Sequence, residues 1–325
     1  MNEILSPVVS VIIPVYNGEA TIRRVLECAL SQQGCPAYEV IVVDDGSTDR
    51  TGEIVREFQA VRLIEQANAG PASARNRGAL SARGEYLCFT DSDCLPHPDW
   101  IARSLSGFGP EGVAAVMGTY GIANPESWLA VCVHDEIQYR HRRLLPEYPQ
   151  VFGSYNVCIQ KQIFLELNGF DTTYRSPSGE DNDLSYRLGK KGFRIRFVND
   201  SKVDHFHPVS VRKYLREQFR HGFWRAKMYR KHFDKTRGDD YTFWKDALEV
   251  AIVYAFFALG VVSLFEFGMA GIGAAFLLTA LLVLEIVFAF LTVSLGWTKK
   301  LAFAMVLAAR SFARGSGFLC GMVRR

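Results

Sequence analysis

Residues 9–15, VSVIIPV, form an unbroken apolar run rich in β-branched side chains, and residues 16–19, YNGE, stop it at once. A strand covered by helices on both faces reads this way, whereas a strand with one wet face alternates. Reading outward, residues 20–32 place Ile22, Val25, Leu26, Ala29 and Leu30 at helical spacing. Residues 39–43 form a second apolar strand, and Gly46-Ser47-Thr48-Asp49 offers N-cap residues to a helix over about 50–59. Residues 61–64 and 86–90 read as a third and a fourth strand, with Pro71 fitting the first position of the helix between them. This alternation predicts an α/β fold: a Rossmann-like, mostly parallel sheet with helices on both faces.

Ligands of such sheets bind beyond the carboxyl ends of the strands. Here those ends are Pro14-Val15-Tyr16-Asn17, Asp44-Asp45-Gly46-Ser47 and Asp91-Ser92-Asp93. Carboxylates gathered on one edge need a cation or a proton to offset their repulsion. The natural partner is a hard divalent ion, Mg²⁺ or Mn²⁺, whose remaining positions are filled by substrate phosphates. Arg75 and Arg77 lie in the intervening stretch, suitably charged for a diphosphate. No GxGxxG follows the first strand and no GxxxxGK[ST] occurs, which excludes a dinucleotide-binding dehydrogenase and a P-loop NTPase.

At 325 residues the chain is long enough for about two domains. With 49% hydrophobic and 22% charged residues it is not a disordered chain, and a net charge of +3 does not make it a polyanion binder. The seven cysteines are scattered with no CxxC pair, which fits a reducing compartment rather than a disulfide framework. Residues 1–17 lack the basic start of a signal peptide, so catalysis is expected on the cytoplasmic side.

Mean hydropathy near zero averages two unlike parts. Residues 1–240 read as a soluble catalytic domain and 241–325 as a membrane region. Between 247 and 297 the only charged residues are Glu249, Glu266 and Glu285, which predicts two spans near 247–268 and 271–297. Lys and Arg flank both ends, placing the flanks in the cytoplasm of a multi-pass inner-membrane protein. Arg310 and Arg314 interrupt the apolar stretch 301–323, which reads as an interfacial helix. The basic stretch 210–237 also holds Phe219, Phe223, Trp224 and Tyr229, a mixture suited to anionic lipid headgroups. No recognition motif for nucleic acid accompanies the charge.

Five segments in order, SVIIPVYNGEATI (10–22), EVIVVDDGSTDRT (39–51), NAGPASARNRGALSARGEYLCFTDSD (68–93), NGFD (168–171) and GED (179–181), resemble the inverting family 2 glycosyltransferases of the GT-A fold. The resemblance covers about residues 8–210. It implies a nucleotide-binding half over about 8–100, an acceptor half over about 101–210, and transfer of a sugar from a nucleotide-sugar donor, with UDP the first choice. By position it implies that Pro14, Tyr16 and Glu19 line the base pocket, that Asp45 bonds the base, that Arg75 lies near the nucleotide, and that Asp91 and Ser92 touch the ribose or metal region. Asp93 would hold the metal. In the segment VDHFH (203–207), His205 is preferred over His207 as a second ligand. Glu180 and Asp181 would supply the catalytic base, with Asp181 preferred, and Asn156 and Asp171 would shape the acceptor half.

The residue types agree with that chemistry. A leaving diphosphate gains charge, which a metal and a cationic side chain stabilise. An acceptor hydroxyl must lose its proton, which needs a carboxylate in reach. The GED segment therefore favours a hydroxyl on a lipid-linked glycan or exopolysaccharide precursor over a polyprenyl phosphate, whose oxygen is already ionised. A membrane scaffold that has lost its chemistry is the remaining alternative. Gln218-Phe219-Arg220-His221-Gly222 departs from the QxxRW of processive synthases, and two spans are too few for a translocation channel, so addition of a single sugar is expected.

Overall fold

The strand that decides the reading, β1 (Val9–Val15), is buried along its whole length. The structure, a computed structural model, describes residues 6–323 apart from 177, 237, 239, 241–243, 266 and 267. After β1 the chain runs through α1 (Ile22–Leu30), β2 (Tyr38–Asp44), α2 (Thr51–Arg56), β3 (Val61–Glu65), α3 (Pro71–Ser81), β4 (Tyr86–Thr90), β5 (Cys94–Pro96), α4 (Trp100–Leu105) and β6 (Val113–Ile122). It continues with α5 (Trp128–Leu144), β7 (Asn156–Gln160), α6 (Lys161–Glu166), α7 (Glu180–Lys190), β8 (Arg194–His205), α8 (Val211–Lys231), α9 (Trp244–Val262), α10 (Met269–Thr292) and α11 (Trp297–Val323).

The chain divides into two compact units, 1–123 with 146–206 and 124–145 with 207–325. The sequence reading cuts the chain at 240. The units differ from it because α5 and α8 belong with the C-terminal helices.

The first unit is built on one eight-stranded sheet in the order β3-β2-β1-β4-β7-β6-β8-β5. The four strands read from the sequence run parallel, β1 pairing with β2 and β4, and β2 with β3. β7 then runs antiparallel to both β4 and β6, β6 pairs parallel with β8, and β5 closes antiparallel on β8. Two reversals cancel, so β8 points the same way as β4 and its end at His205 reaches the edge where β1, β2 and β4 end. Pro14 is tolerated inside β1 for a local reason. The ladder to β4 stops at Ile12 opposite Phe89, so a residue without an N–H on that side breaks no pairing. Ile22, Val25, Leu26 and Ala29 of α1 seal one face of the sheet against Val11, Ile13 and Cys88.

The second unit is helical. α8 and α11 approach at backbone distance because glycines line the contact. A Cβ on Gly222 would lie 2.1 Å from the Arg314 carbonyl oxygen, and one on Gly317 would lie 2.0 Å from that of Phe219. Only hydrogen side chains permit this, as in the small-residue contacts of membrane helices.

Buried charges meet one another inside this unit. Arg310 Nη1 donates to both oxygens of Glu136 at 2.7 Å. Arg140 grips Asp246 with two bonds of 2.7 and 2.9 Å. Lys245 donates to Glu285 at 2.6 Å and also to Glu249. The interfacial reading of 301–323 sets Arg310 against headgroups. The structure corrects this: Arg310 is fully buried and faces carboxylates instead.

Among the described residues, one helix, α10, is long and apolar enough to cross a membrane. It exposes Ile272, Phe276, Val283, Val287 and Leu291. The other expected span, near 247–268, falls mostly on α9, whose first turns carry Lys245, Asp246 and Glu249. Glu266 of that span and Arg237 of the basic stretch lie outside the described residues.

Replacing Gly317 with Leu must push α8 off α11, and overpacking of this kind typically costs about 1–3 kcal/mol or more. The Gly317→Leu protein in detergent is expected to unfold several degrees below the parent, and an unchanged melting temperature would refute the close contact.

Candidate active site

The carboxyl edge of the sheet is assembled by two loops tied to each other. Asn17, at φ 52°, donates its N–H to Ser47 Oγ at 2.9 Å, and its Oδ1 accepts the Thr48 N–H at 2.8 Å. The Gly18 N–H reaches Thr51 Oγ1 at 2.8 Å, and the Glu19 carboxylate accepts the Arg50 N–H at 3.1 Å. The loop after β1 is thereby fixed to the start of α2. Pro14 is buried in its strand, while Tyr16 is 51% exposed and presents its ring at the edge.

Asp45 is buried, and its carboxylate organises the loop into α3. Oδ1 accepts from Gln66 Nε2 at 2.7 Å and from the Ala69 N–H at 2.8 Å, while Oδ2 accepts the Gly70 N–H at 2.8 Å. Gly70 is required there. Its φ is 93°, and a Cβ would lie 2.8 Å from the Arg175 carbonyl oxygen.

After β4 the chain turns through Asp91, Ser92 and Asp93. The Ser92 carbonyl accepts Thr21 Oγ1 at 2.7 Å, which ties the turn to the start of α1. The short strand β5 follows, and its register sets Cys94 opposite His205. The Phe206 N–H donates to the Asp93 carbonyl at 2.9 Å, which holds the two chains in that register. As a result Asp93 Oδ1 lies 3.6 Å from His205 Nε2. The Tyr120 ring stacks on the imidazole at 5.5 Å.

Asp93, Cys94 and His205 bring their ligand atoms within 4.8 Å of one another. Cys94 was missed in the sequence, although its place directly after Asp93 on a strand was the available signal. Burial pushes its thiol well up, so it stays protonated and is a poor donor to a hard cation. Asp93 and His205 are the better-matched pair.

His207 is separate from this pair. It is buried in the helical unit, where its backbone N–H and carbonyl both bond the Asn124 side chain.

The GED segment caps α7. Gly179 sits at φ 92° immediately before it. Glu180 is buried, with Oε1 3.0 Å from Arg75 Nη1 and Oε2 accepting the Ser178 N–H at 2.8 Å. Arg75 Nη2 lies 2.6 Å from Asp91 Oδ1. Three residues placed separately by the sequence reading are thus joined directly. Asp181 is half-buried beside them. Burial first, and then the neighbouring Glu180 charge, push its carboxyl up to about 7, against the pull of the Asn182 N–H and Arg75. A carboxyl in that range can take up and release a proton near neutrality.

Asn156 has an architectural place. It accepts the Trp100 indole N–H at 2.7 Å and donates to the carbonyls of Thr119 and Ser201. Asp171 accepts the Thr173 N–H at 2.8 Å and so shapes its own turn.

Comparison with known proteins fits this arrangement. Residues 10–159 match the model of glycosyl transferase family 2, and residues 86–313 match that of glycosyl transferase family group 2. The glycosyltransferase AglE of Haloferax volcanii is 32% identical over 223 residues, 66% of this chain and 72% of that protein. The chain belongs to glycosyltransferase family 2. This family 2 enzyme is also 30% identical over 229 residues, 60% of its length, to the validoxylamine A glucosyltransferase of Streptomyces hygroscopicus subsp. limoneus, of which it spans 51%. Its fold is that of the mannosyltransferase PcManGT from Pyrobaculum calidifontis, solved in complex with GDP-Man and Mn²⁺. The TM-score is 0.61 at 22% identity, over 98% of this chain and 86% of that one. GalNAc-T7, solved with UDP, GalNAc and Mn²⁺, gives a TM-score of 0.50 at 17% identity over 73% of this chain and 52% of its own. The GT-A fold is thereby shown, and family membership makes the chain a glycosyltransferase.

A base acts only when unprotonated, so with Asp181 in that role activity would be lost as pH falls through its pKa. The acid limb of kcat/KM is expected near pH 7. A limb near pH 4 would exclude Asp181 as the group that titrates.

Proposed function

We propose that this chain is a membrane-attached, metal-dependent, inverting glycosyltransferase. It moves one sugar from a nucleoside-diphosphate sugar, with the uridine series tried first, to a hydroxyl of a lipid-linked glycan or exopolysaccharide precursor. One observation carries the reading: the Asp93–His205 pair and the acids Asp91, Glu180 and Asp181 lie around the same carboxyl edge of one sheet.

The residues take their roles from that geometry. Tyr16 offers an exposed ring to the base, and Asp45 acts through the 66–70 loop that it holds. Glu19 and Pro14 keep the first loop in place, and Asp91 and Ser92 face the ribose. Asp93 and His205 would hold a Mn²⁺ or Mg²⁺, since a carboxylate oxygen and an imidazole nitrogen suit such an ion. A cation held there would supply positive charge to the departing diphosphate.

Asp181 accepts the acceptor hydroxyl proton. The hydroxyl oxygen attacks the anomeric carbon from the side opposite the diphosphate. The new C–O bond forms as the bond to the phosphate oxygen breaks, and that electron pair leaves with the nucleoside diphosphate. A single displacement inverts the carbon and needs no nucleophile from the protein.

Attachment to a membrane is supported by the exposed apolar stripe of α10. The basic stripe of α8, with Arg212, Arg216 and Arg220 exposed, adds attraction to anionic lipids.

Nucleoside-diphosphate release is measured from a panel of UDP- and GDP-sugars in detergent, with Mn²⁺ or EDTA. Release is expected from one donor only when metal is present, and Asp93→Asn is expected to lower it at least about 100-fold. Equal release by the variant would overturn the metal assignment. Asp181→Asn is expected to lower kcat while sparing donor binding. Full activity in that variant would instead favour an acceptor whose oxygen is already ionised, a polyprenyl phosphate.

A further inference from the structure

Arg75 is 2% exposed, an unusual state for a cation close to a charged substrate. Its guanidinium reaches two acids from separate parts of the chain. Nη2 meets Asp91 at the end of β4, and Nη1 meets Glu180 at the start of α7, 105 positions further on. The Phe170 ring lies 5.5 Å from the guanidinium carbon and shields it from water. Glu180 is held on both oxygens, one by Arg75 and one by the Ser178 N–H. It therefore has little freedom to follow a substrate. Asp181, the next residue on the same helix, points about 100° away and keeps partial exposure.

We propose that Arg75 is a positioning residue: a single guanidinium clamps Asp91 to Glu180 and so holds the base-bearing end of α7 at a fixed distance from the donor-binding strand end, without contacting the donor. This rests on the transferase reading above and assigns Arg75 a place in it different from that of a phosphate-binding cation. A fork that donates from two separate nitrogens is needed. A lysine has one compact ammonium and cannot hold both acids in that plane. Misplacing a catalytic group by about 1 Å can cost about 100-fold in rate, so loosening the clamp should appear in the chemical step.

The test uses the full chain in detergent with Arg75→Lys, Arg75→Met, Glu180→Gln and the double variant Arg75→Met/Glu180→Gln. Donor kcat and KM come from the release assay. Dissociation constants for UDP and GDP, each with Mn²⁺, come from calorimetry, and melting temperatures from thermal unfolding. Arg75→Lys is expected to lose about 10- to 100-fold in kcat while KM and the nucleotide dissociation constant change by less than about threefold. A loss that falls on KM and nucleotide binding with kcat intact would make Arg75 a donor contact and overturn the proposal. Unchanged kcat and KM would overturn it equally.

Arg75→Met leaves Glu180 buried without its cation and is expected to melt well below the parent. The double variant removes that stranded charge and is expected to melt higher than Arg75→Met. If it does not, the clamp on Glu180 is wrong. Should the parent release nothing from any sugar and bind neither nucleotide, the transferase reading fails, and the melting comparison alone decides the clamp.

Discussion

A carboxylate withdrawn from water must be met by a positive charge or by hydrogen-bond donors, and both units of this protein place a buried cation among their acids. In the first unit Arg75 is sealed under Phe170 and balances Asp91 and Glu180. In the second unit Arg310, Arg140 and Lys245 answer Glu136, Asp246, Glu249 and Glu285 across four helices. The two arrangements differ in what they leave outside. Around Arg75, Asp91 and Asp181 keep contact with solvent, so a ligand can still compete for them. In the helical unit the acids around Arg310 are closed off, and the network serves to choose which helix faces meet. Replacing such a network with apolar side chains can be neutral for stability, but removing one member strands the rest.

Much of the sheet was legible, because β1 to β4 are uninterrupted apolar runs between turns with ordinary capping chemistry. The second half was not. β7 runs antiparallel to β4, and β6 pairs with β8 although α5, β7, α6 and α7 lie between them in the chain, choices made by distant pairing rather than by any local period. The Asp91-Ser92-Asp93 turn was visible as a strand end, yet the distance from Asp93 to His205 depends on a three-residue strand, β5, that is too short to read. Asp45 shows a subtler limit. Its place just after β2 can be read from the apolar run before it, but the N–H groups that occupy its oxygens belong to residues 69 and 70.

Arg75 and Arg310 show the same difficulty from two sides. One was read as a cation for phosphate and the other as a cation for headgroups, since an arginine near an apolar or glycine-rich stretch has no local sign of its partner. Their partners are Glu180, 105 positions away, and Glu136, 174 positions away. Helical periodicity tells which face of α11 carries Arg310, but not that a glutamate waits opposite it.

The span of these bonds also bears on how the protein comes to exist. Each closes a long loop of chain, and loop closure is an entropic debt met before the contact returns anything. The parallel strands β1 to β4 can collapse as neighbours soon after they are made. Asp93 cannot meet His205, nor Arg75 its second acid, until the chain beyond residue 180 has folded back to the same edge. During synthesis the ends of β1, β2 and β4 can therefore be in place before Glu180 and His205 join them. A ligand that touched both sides would favour the finished state over that intermediate, and so would act on the nascent protein as a folding aid.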